Sequence, residues 1–214
     1  MLKSALKHQR EKKQQLQRNR LLDIAVIGLG NPGQKYALTR HNVGFWVVDG
    51  LSQRLKVRLK KPLFKPLLYG KKTLSNSNTV HLFKPLTYMN RSGKVLPWLN
   101  SRADFHETMY LLLADNMDLP PGSLRLKRKG GDAGHNGMKS IIQYADTKDF
   151  PRIYIGIGSP DNNTTVVDHV LGQPDQSEME SLQSAVERAI EAVIMLLENT
   201  KIEQVTEYTN KRNV

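Results

Sequence analysis

The chain has no cysteine among its 214 residues. That excludes a disulfide framework, a thiol nucleophile and thiolate ligation of a metal. No apolar run approaches the roughly 18 residues that a membrane-spanning helix needs. The N-terminus lacks the continuous apolar stretch of a secretory signal, so a cytosolic protein is expected. Acidic side chains are in the minority, 20 against 32 Lys and Arg. The Gly-x-Ser-x-Gly elbow of serine hydrolases is missing. The six histidines show no pair at metal-binding spacing, and no metal centre is expected.

What is present is positive charge, unevenly spread. Of the net +12, half falls on residues 1–20, where seven Lys and Arg face only Glu11. This tenth of the chain has almost nothing to bury and reads as a disordered or solvated basic extension. Three roles stay open for it: a solubilising extension, an arm adding phosphate contacts, or an organelle-targeting peptide, which would place the protein in an organellar matrix. Residues 21–214 read as one domain, because strand-like and helix-like segments alternate as in an α/β layer architecture.

The run Ile24 to Leu29 reads as a buried strand. Thr39 reads as the cap of a helix through Val43, Val47, Leu51 and Leu55, whose spacing puts them on one face. Residues 58–78 are expected to form a hairpin of exposed strands. Val80 to Phe83, Tyr110 to Ala114 and Arg152 to Ile157 read as further strands. A capping box of Ser177 and Glu180 is expected to open a long helix through Leu182, Val186, Ile190, Val193 and Leu197.

Four polar loops follow these strands, where α/β proteins place their sites. They carry Asn31 and His41; Tyr88-Met89-Asn90; Asp115 to Gly122; and Gly130 to Gly137. Together they supply histidine, carboxylates and three asparagines without an obvious nucleophile. That inventory suits direct attack by water, with an imidazole as base and a carboxylate fixing its tautomer. Asparagine amides can donate to a carbonyl gaining negative charge. His41 falls near a helix start, where the dipole disfavours a protonated ring; a hydrogen-bonded structural histidine is the competing reading. If residues 123–127 are extended, Arg125 and Lys127 share a face. They either hold a phosphate near a helix start after Asn136 or protect a strand edge with charge.

Gly28-x-Gly30-x-x-Gly33 also matches the dinucleotide fingerprint in its letters. Pro32 and six further residues intervene before the helix, however, and Asp49 lies inside a helical pattern. A nucleotide-dependent enzyme is therefore the weaker rival.

Taken jointly, these segments resemble the bacterial-type peptidyl-tRNA hydrolase family. The matching stretches are Ile27 to Gly33 with Tyr36 and Thr39 to Phe45; Lys84-Pro85 with Thr87 to Asn90 and Ser92-Gly93; Asp115 with Asp118-Leu119-Pro120; Gly130-Gly131 with Gly134 to Gly137; and Asp168 to Gly172. They run in order through residues 22–205. The resemblance implies a single α/β globule around a mixed, largely parallel sheet flanked by helices, monomeric and without metal or cofactor. It implies cleavage of the ester joining a peptide to the terminal ribose of tRNA. By resemblance His41 is the catalytic base and Asp115 its orienting carboxylate. Asn31, Asn90 and Asn136 line the ester and peptide site, Tyr36 helps position the substrate, and Arg125 and Lys127 clamp the tRNA 5′-phosphate. A non-catalytic RNA-binding protein on the same fold is the alternative.

The sequence departs from the family pattern at Asp132-Ala133, where relatives often carry a small residue or His followed by Gly. Arg125 replaces a lysine, Tyr154 a second basic residue, and Ser159-Pro160 a basic residue before proline.

Overall fold

The structure is a computed structural model and describes residues 22–101 and 108–211. The basic extension anticipated for residues 1–20 lies outside the described residues.

Six strands form one sheet: β1 (Asp23–Gly28), β2 (Leu67–Thr73), β3 (Thr79–Pro85), β4 (Met109–Asn116), β5 (Leu124–Lys127) and β6 (Arg152–Gly156), in the order β2-β3-β1-β4-β6-β5. The four middle strands are parallel, and both edge strands run antiparallel to their neighbours. Successive connections leave β1 toward β3 on one side and then β4 on the other. The carboxyl ends of β1 and β4 therefore form a topological switch point, the crevice where open α/β sheets hold ligands.

Side chains alternate between the two faces, as the strand period of two requires. Ile24, Val26, Leu111, Leu113, Ile153 and Ile155 pack on one face, against α1 (Val43–Arg54), α5 (Gln176–Leu197) and Val205 of α6 (Ile202–Asn210). Ala25, Ile27, Leu112, Ala114 and Tyr154 pack on the other. There they meet the 3-10 segment Met89–Val95, α2 (Leu96–Asn100) and α3 (Asn136–Ala145). With both faces covered, the inner strands read as unbroken apolar runs. Helix α4 (Val166–Leu171) lies between β6 and α5 in the chain.

Two glycines bring α1 down onto the sheet. A Cβ on Gly28 would stand 2.4 Å from the Gly44 carbonyl oxygen, and one on Gly44 would stand 2.4 Å from that of Leu113. Backbone cannot yield to such contacts, so the strand end and the helix start meet at a distance only glycine allows. This seats the turn carrying His41 directly above β1 and β4.

Three local expectations change. Thr39 does not cap α1: a 3-10 turn, Arg40–Asn42, comes first, and the Thr39 hydroxyl donates to the Tyr36 carbonyl at 2.9 Å. Residues 58–78 pair with one another only at an antiparallel bridge between Lys60 and Tyr69. β2 begins only after Pro66 and pairs along its length with β3; Pro62 and Pro66 have no N–H with which to extend the bridge into a ladder. The capping box of α5 is Asp175 with Glu178, two residues earlier than Ser177 and Glu180. No helix among the described residues is long and apolar enough to cross a membrane.

Candidate active site

β4 ends by delivering Asp115 to the switch point, 3% exposed. Its Oδ1 lies 2.8 Å from His41 Nδ1 and 3.0 Å from His135 Nε2. One carboxylate oxygen therefore meets two imidazoles, whose ring centres are 5.0 Å apart.

The far nitrogen of His135 settles the proton positions. His135 is the N-cap of α3, and its Nδ1 accepts from the backbone N–H groups of Gly137 (3.1 Å) and Met138 (3.2 Å). A nitrogen accepting two N–H groups carries no proton, so the proton sits on Nε2 and is donated to Asp115. Protonating Nδ1 would break the cap and add positive charge at a helix N-terminus.

His41 completes the arrangement as the second donor, through Nδ1–H. Its Nε2 makes no hydrogen bond to any described residue and is left as a lone-pair nitrogen beside the cavity. Burial pushes the Asp115 carboxyl up, but the His41 and His135 rings, by electrostatic attraction and hydrogen bonds, reverse this and hold it well below the usual carboxylate range. Asp115 stays an anion wherever the fold persists near neutrality.

These ligand atoms lie within 4.8 Å of one another, close enough to raise the question of a metal. The donor set fits one poorly. Coordination through His135 Nε2 would displace the proton there while Nδ1 is already committed as an acceptor, leaving an anionic ring.

The cavity beside the dyad measures about 100 Å³, room for a few water molecules. His41, Asp115, Gly134, His135 and Asn136 line it, with Val166, Val167 and Val170 of α4 forming an apolar wall. A larger cleft of about 700 Å³ lies between Trp46 and residues 179–187 and holds no such base and carboxylate.

Asn31 stands on the neighbouring loop and does not line this cavity. It is buried, and its Oδ1 accepts from Met89 N–H at 2.8 Å, which orients the amide and leaves Nδ2 as a donor without a described partner. Asn42 braces the loop by accepting from Asn31 N–H (2.8 Å) and donating to its carbonyl (3.0 Å). Asn90 follows Met89 and is exposed. Tyr36 packs edge-on against Tyr88, ring centres 6.4 Å apart, with Lys35 Nζ over its face. Neither Asn90 nor Tyr36 touches the cavity beside the dyad.

Arg125 and Lys127 project from the exposed face of β5 while Leu124 and Leu126 are buried. Tyr154 is not on that surface: it is 2% exposed, with Lys127 Nζ 6.0 Å from its ring. Ala133, in the departing Asp132-Ala133 pair, adopts a left-handed φ of 51°. The sequence reading gives His135 no role. The signal was a histidine placed directly before a helix start at Asn136, where its ring can cap.

A histidine and a buried carboxylate paired at a switch point of parallel strands, with amide donors nearby, is an arrangement with which an enzyme of the α/β class can activate water. A model of the family described as Peptidyl-tRNA hydrolase matches residues 25–214. The chain is 41% identical over 188 residues to the peptidyl-tRNA hydrolase of Bacillus subtilis, spanning 88% of this chain and 99% of that protein. It is 45% identical over 166 residues to that of Geobacillus thermodenitrificans, spanning 78% and 88%. The crystal structure of peptidyl-tRNA hydrolase from Acinetobacter baumannii superposes with a TM-score of 0.79 at 35% identity, across 88% of this chain and 94% of that one. The chain belongs to the peptidyl-tRNA hydrolase family.

Proposed function

We propose that this protein hydrolyses the ester bond of peptidyl-tRNA, releasing peptide and free tRNA, with His41 as general base. The observation that carries the reading is the His41–Asp115 pair at 2.8 Å, which leaves Nε2 facing the cavity. His41 Nε2 takes a proton from water as the water oxygen bonds to the ester carbonyl carbon. The carbonyl oxygen gains negative charge, to which Asn31 Nδ2 or Asn136 donates. The bond to the ribose oxygen then breaks, and the imidazolium returns the proton to that oxygen. Asp115 stabilises the imidazolium while it lasts.

Arg125 and Lys127 take the tRNA 5′-phosphate in this reading, and Tyr36 and Asn90 contact the peptide side. Two exposed cations on one strand face suit a phosphate held by charge-assisted hydrogen bonds. The protein works as a monomer in the cytoplasm; sizing by light scattering checks the first point.

The test is release of N-acetyl-aminoacyl groups from tRNA by wild type and His41→Ala, with unacetylated aminoacyl-tRNA as control. A loss of about 10²- to 10⁴-fold in the variant is expected if the ring is the base. Turnover nearly intact in a folded His41→Ala would refute the assignment.

A further inference from the structure

Positive charge gathers a second time at the β2 edge of the sheet. Residues 50–103 contain twelve Lys and Arg and no Asp or Glu, a formal charge equal to that of the whole chain. Some of it is matched. Lys84 pairs with Asp49 at 2.6 Å and Arg54 with Glu187 at 2.8 Å, while Lys72 Nζ donates to the Leu55 carbonyl at 2.7 Å. Arg58, Lys60, Lys61, Lys65 and Lys94 are exposed and pair with no carboxylate among the described residues.

These cations flank an apolar turn. Lys60 and Tyr69 exchange both backbone hydrogen bonds at 2.8 Å, and the Pro66 carbonyl accepts from Leu86 N–H at 2.7 Å, which closes the base of the loop. Lys65 N–H donates to the Pro62 carbonyl at 3.2 Å and puts Leu63 and Phe64 at the tip. Leu63 is 77% exposed and Phe64 90%. Phe64 has a φ of 56°, at a turn position that favours Gly or Asn. A bulky aromatic held there is strained and unburied, so neither local propensity nor core packing accounts for it.

A groove of about 360 Å³ separates this turn from α2. Phe64, Lys65 and Pro66 line one wall, and Lys94, Pro97 and the half-buried Trp98 the other. Two ammonium groups can hold a phosphate there, and an indole suits the headgroup level of a bilayer. Arg125 and Lys127 lie on β5, at the opposite edge of the six-stranded sheet. Five strand spacings put the two edges about 24 Å apart, so the two basic surfaces take different phosphates.

We propose that the turn of residues 61–65 and the groove beside it dock on an anionic lipid bilayer, with Leu63 and Phe64 entering the acyl boundary and the lysines meeting headgroup phosphates. The apolar tip decides between anions. Lysines could meet RNA phosphates and the Phe64 ring could stack on a base, but Leu63 and the two prolines offer RNA nothing. A bilayer buries all of them. Stable attachment of this kind needs two weak signals together, apolar insertion and the attraction of Lys and Arg to anionic lipid. The contact is peripheral and reversible, leaves β5 uncovered at the far edge, and stands apart from the esterase reading.

The experiment is co-sedimentation of the full chain with vesicles of phosphatidylcholine alone and of equal parts phosphatidylcholine and phosphatidylglycerol. Wild type, Phe64→Gly and the double variant Lys61→Gln/Lys65→Gln are compared, with Tm measured for each. Wild type should bind the mixed vesicles and bind the neutral ones at least about thirtyfold more weakly. Phe64→Gly should weaken binding by about tenfold or more, while its Tm stays level or rises because glycine accepts the left-handed φ without strain. The lysine variant should lose about thirtyfold, about fivefold for each cation near the surface. Mixed-vesicle binding by Phe64→Gly equal to that of wild type would trace attachment to charge elsewhere, residues 1–20 included, and overturn the proposal. No vesicle binding by wild type would overturn it too, and ribosomal RNA binding that Phe64→Gly abolishes would then assign the turn to RNA. Turnover of N-acetyl-aminoacyl-tRNA without vesicles should be equal in all three proteins; a fall in Phe64→Gly would place the turn in the path of the substrate and overturn a separate surface.

Discussion

His135 and Asp115 are joined by a 3.0 Å hydrogen bond whose donor is fixed by the other end of the same ring, where Nδ1 caps α3. The cap and the orientation of the Asp115 carboxylate are therefore one interaction. His135→Asn keeps a good N-cap but cannot reach Asp115 in the same way. It should hold stability within about 1 kcal/mol of wild type while lowering kcat by about tenfold. His135→Ala should lose the activity and, in addition, about 1 kcal/mol of stability. Urea denaturation beside turnover separates the two; equal activity in both variants and wild type would remove His135 from the site.

Asp115→Asn keeps the shape of the network and removes its charge. The imidazolium formed on His41 loses its counter-charge, and kcat should fall by about 10²- to 10⁴-fold. Substrate binding, followed by competition with product tRNA, should change little. A variant retaining wild-type kcat would mean that Asp115 is only structural.

The depressed Asp115 carboxyl also predicts a pH dependence of stability. Its folded value lies below the unfolded one, about 3.9, so the unfolded chain binds more protons between the two. The stabilisation is present above the unfolded value and is lost as pH falls toward the folded one. Acid unfolding should therefore steepen below about pH 4, and Asp115→Asn should flatten that limb by forfeiting in the neutral range the stability that the carboxylate supplies there. An identical acid limb in both proteins would contradict the shift.

Lys127→Ala should weaken tRNA substrates while sparing a short ester substrate that lacks the 5′-phosphate. The slope of log affinity against log salt should drop by about one for the lost cation. An equal loss on both substrates would argue against a phosphate clamp at β5.

Gly44→Ala tests the close approach beneath the turn that carries His41. The added Cβ meets the Leu113 and Leu29 carbonyl oxygens at 2.4 and 2.6 Å. A cost of about 1–3 kcal/mol is expected, with activity reduced because His41 rides on the same turn. Wild-type stability in this variant would show that the helix can lift without penalty.

The parts legible in the sequence are those set by short-range pattern. Ile24 to Leu29 and Tyr110 to Ala114 read as strands because burial on both faces leaves them apolar throughout, and Asp115 stood out as the charge ending such a run. Arg125 and Lys127 fell on one face because alternation alone decides it. What escaped depends on tertiary contact. Asp175 and Ser177 each stand three residues before a glutamate; Asp175 takes the role where Glu178 also meets Arg40, distant by 138 residues. The role of His135 requires Asp115, 20 positions away, to lie under its ring. The exclusion of Tyr154 from the basic surface follows from its burial within the sheet, which residue type alone does not reveal.

The shared ring of His135 makes two amide protons witnesses to the chemistry. Gly137 N–H and Met138 N–H donate to the nitrogen opposite the one that holds Asp115. Any event that tugs the carboxylate, such as charge forming on His41, is transmitted across a single aromatic ring to these two donors. Their solvent-exchange rates and chemical shifts should then register the state of the dyad from inside an ordinary helix, with no label on the substrate and no probe in the cavity.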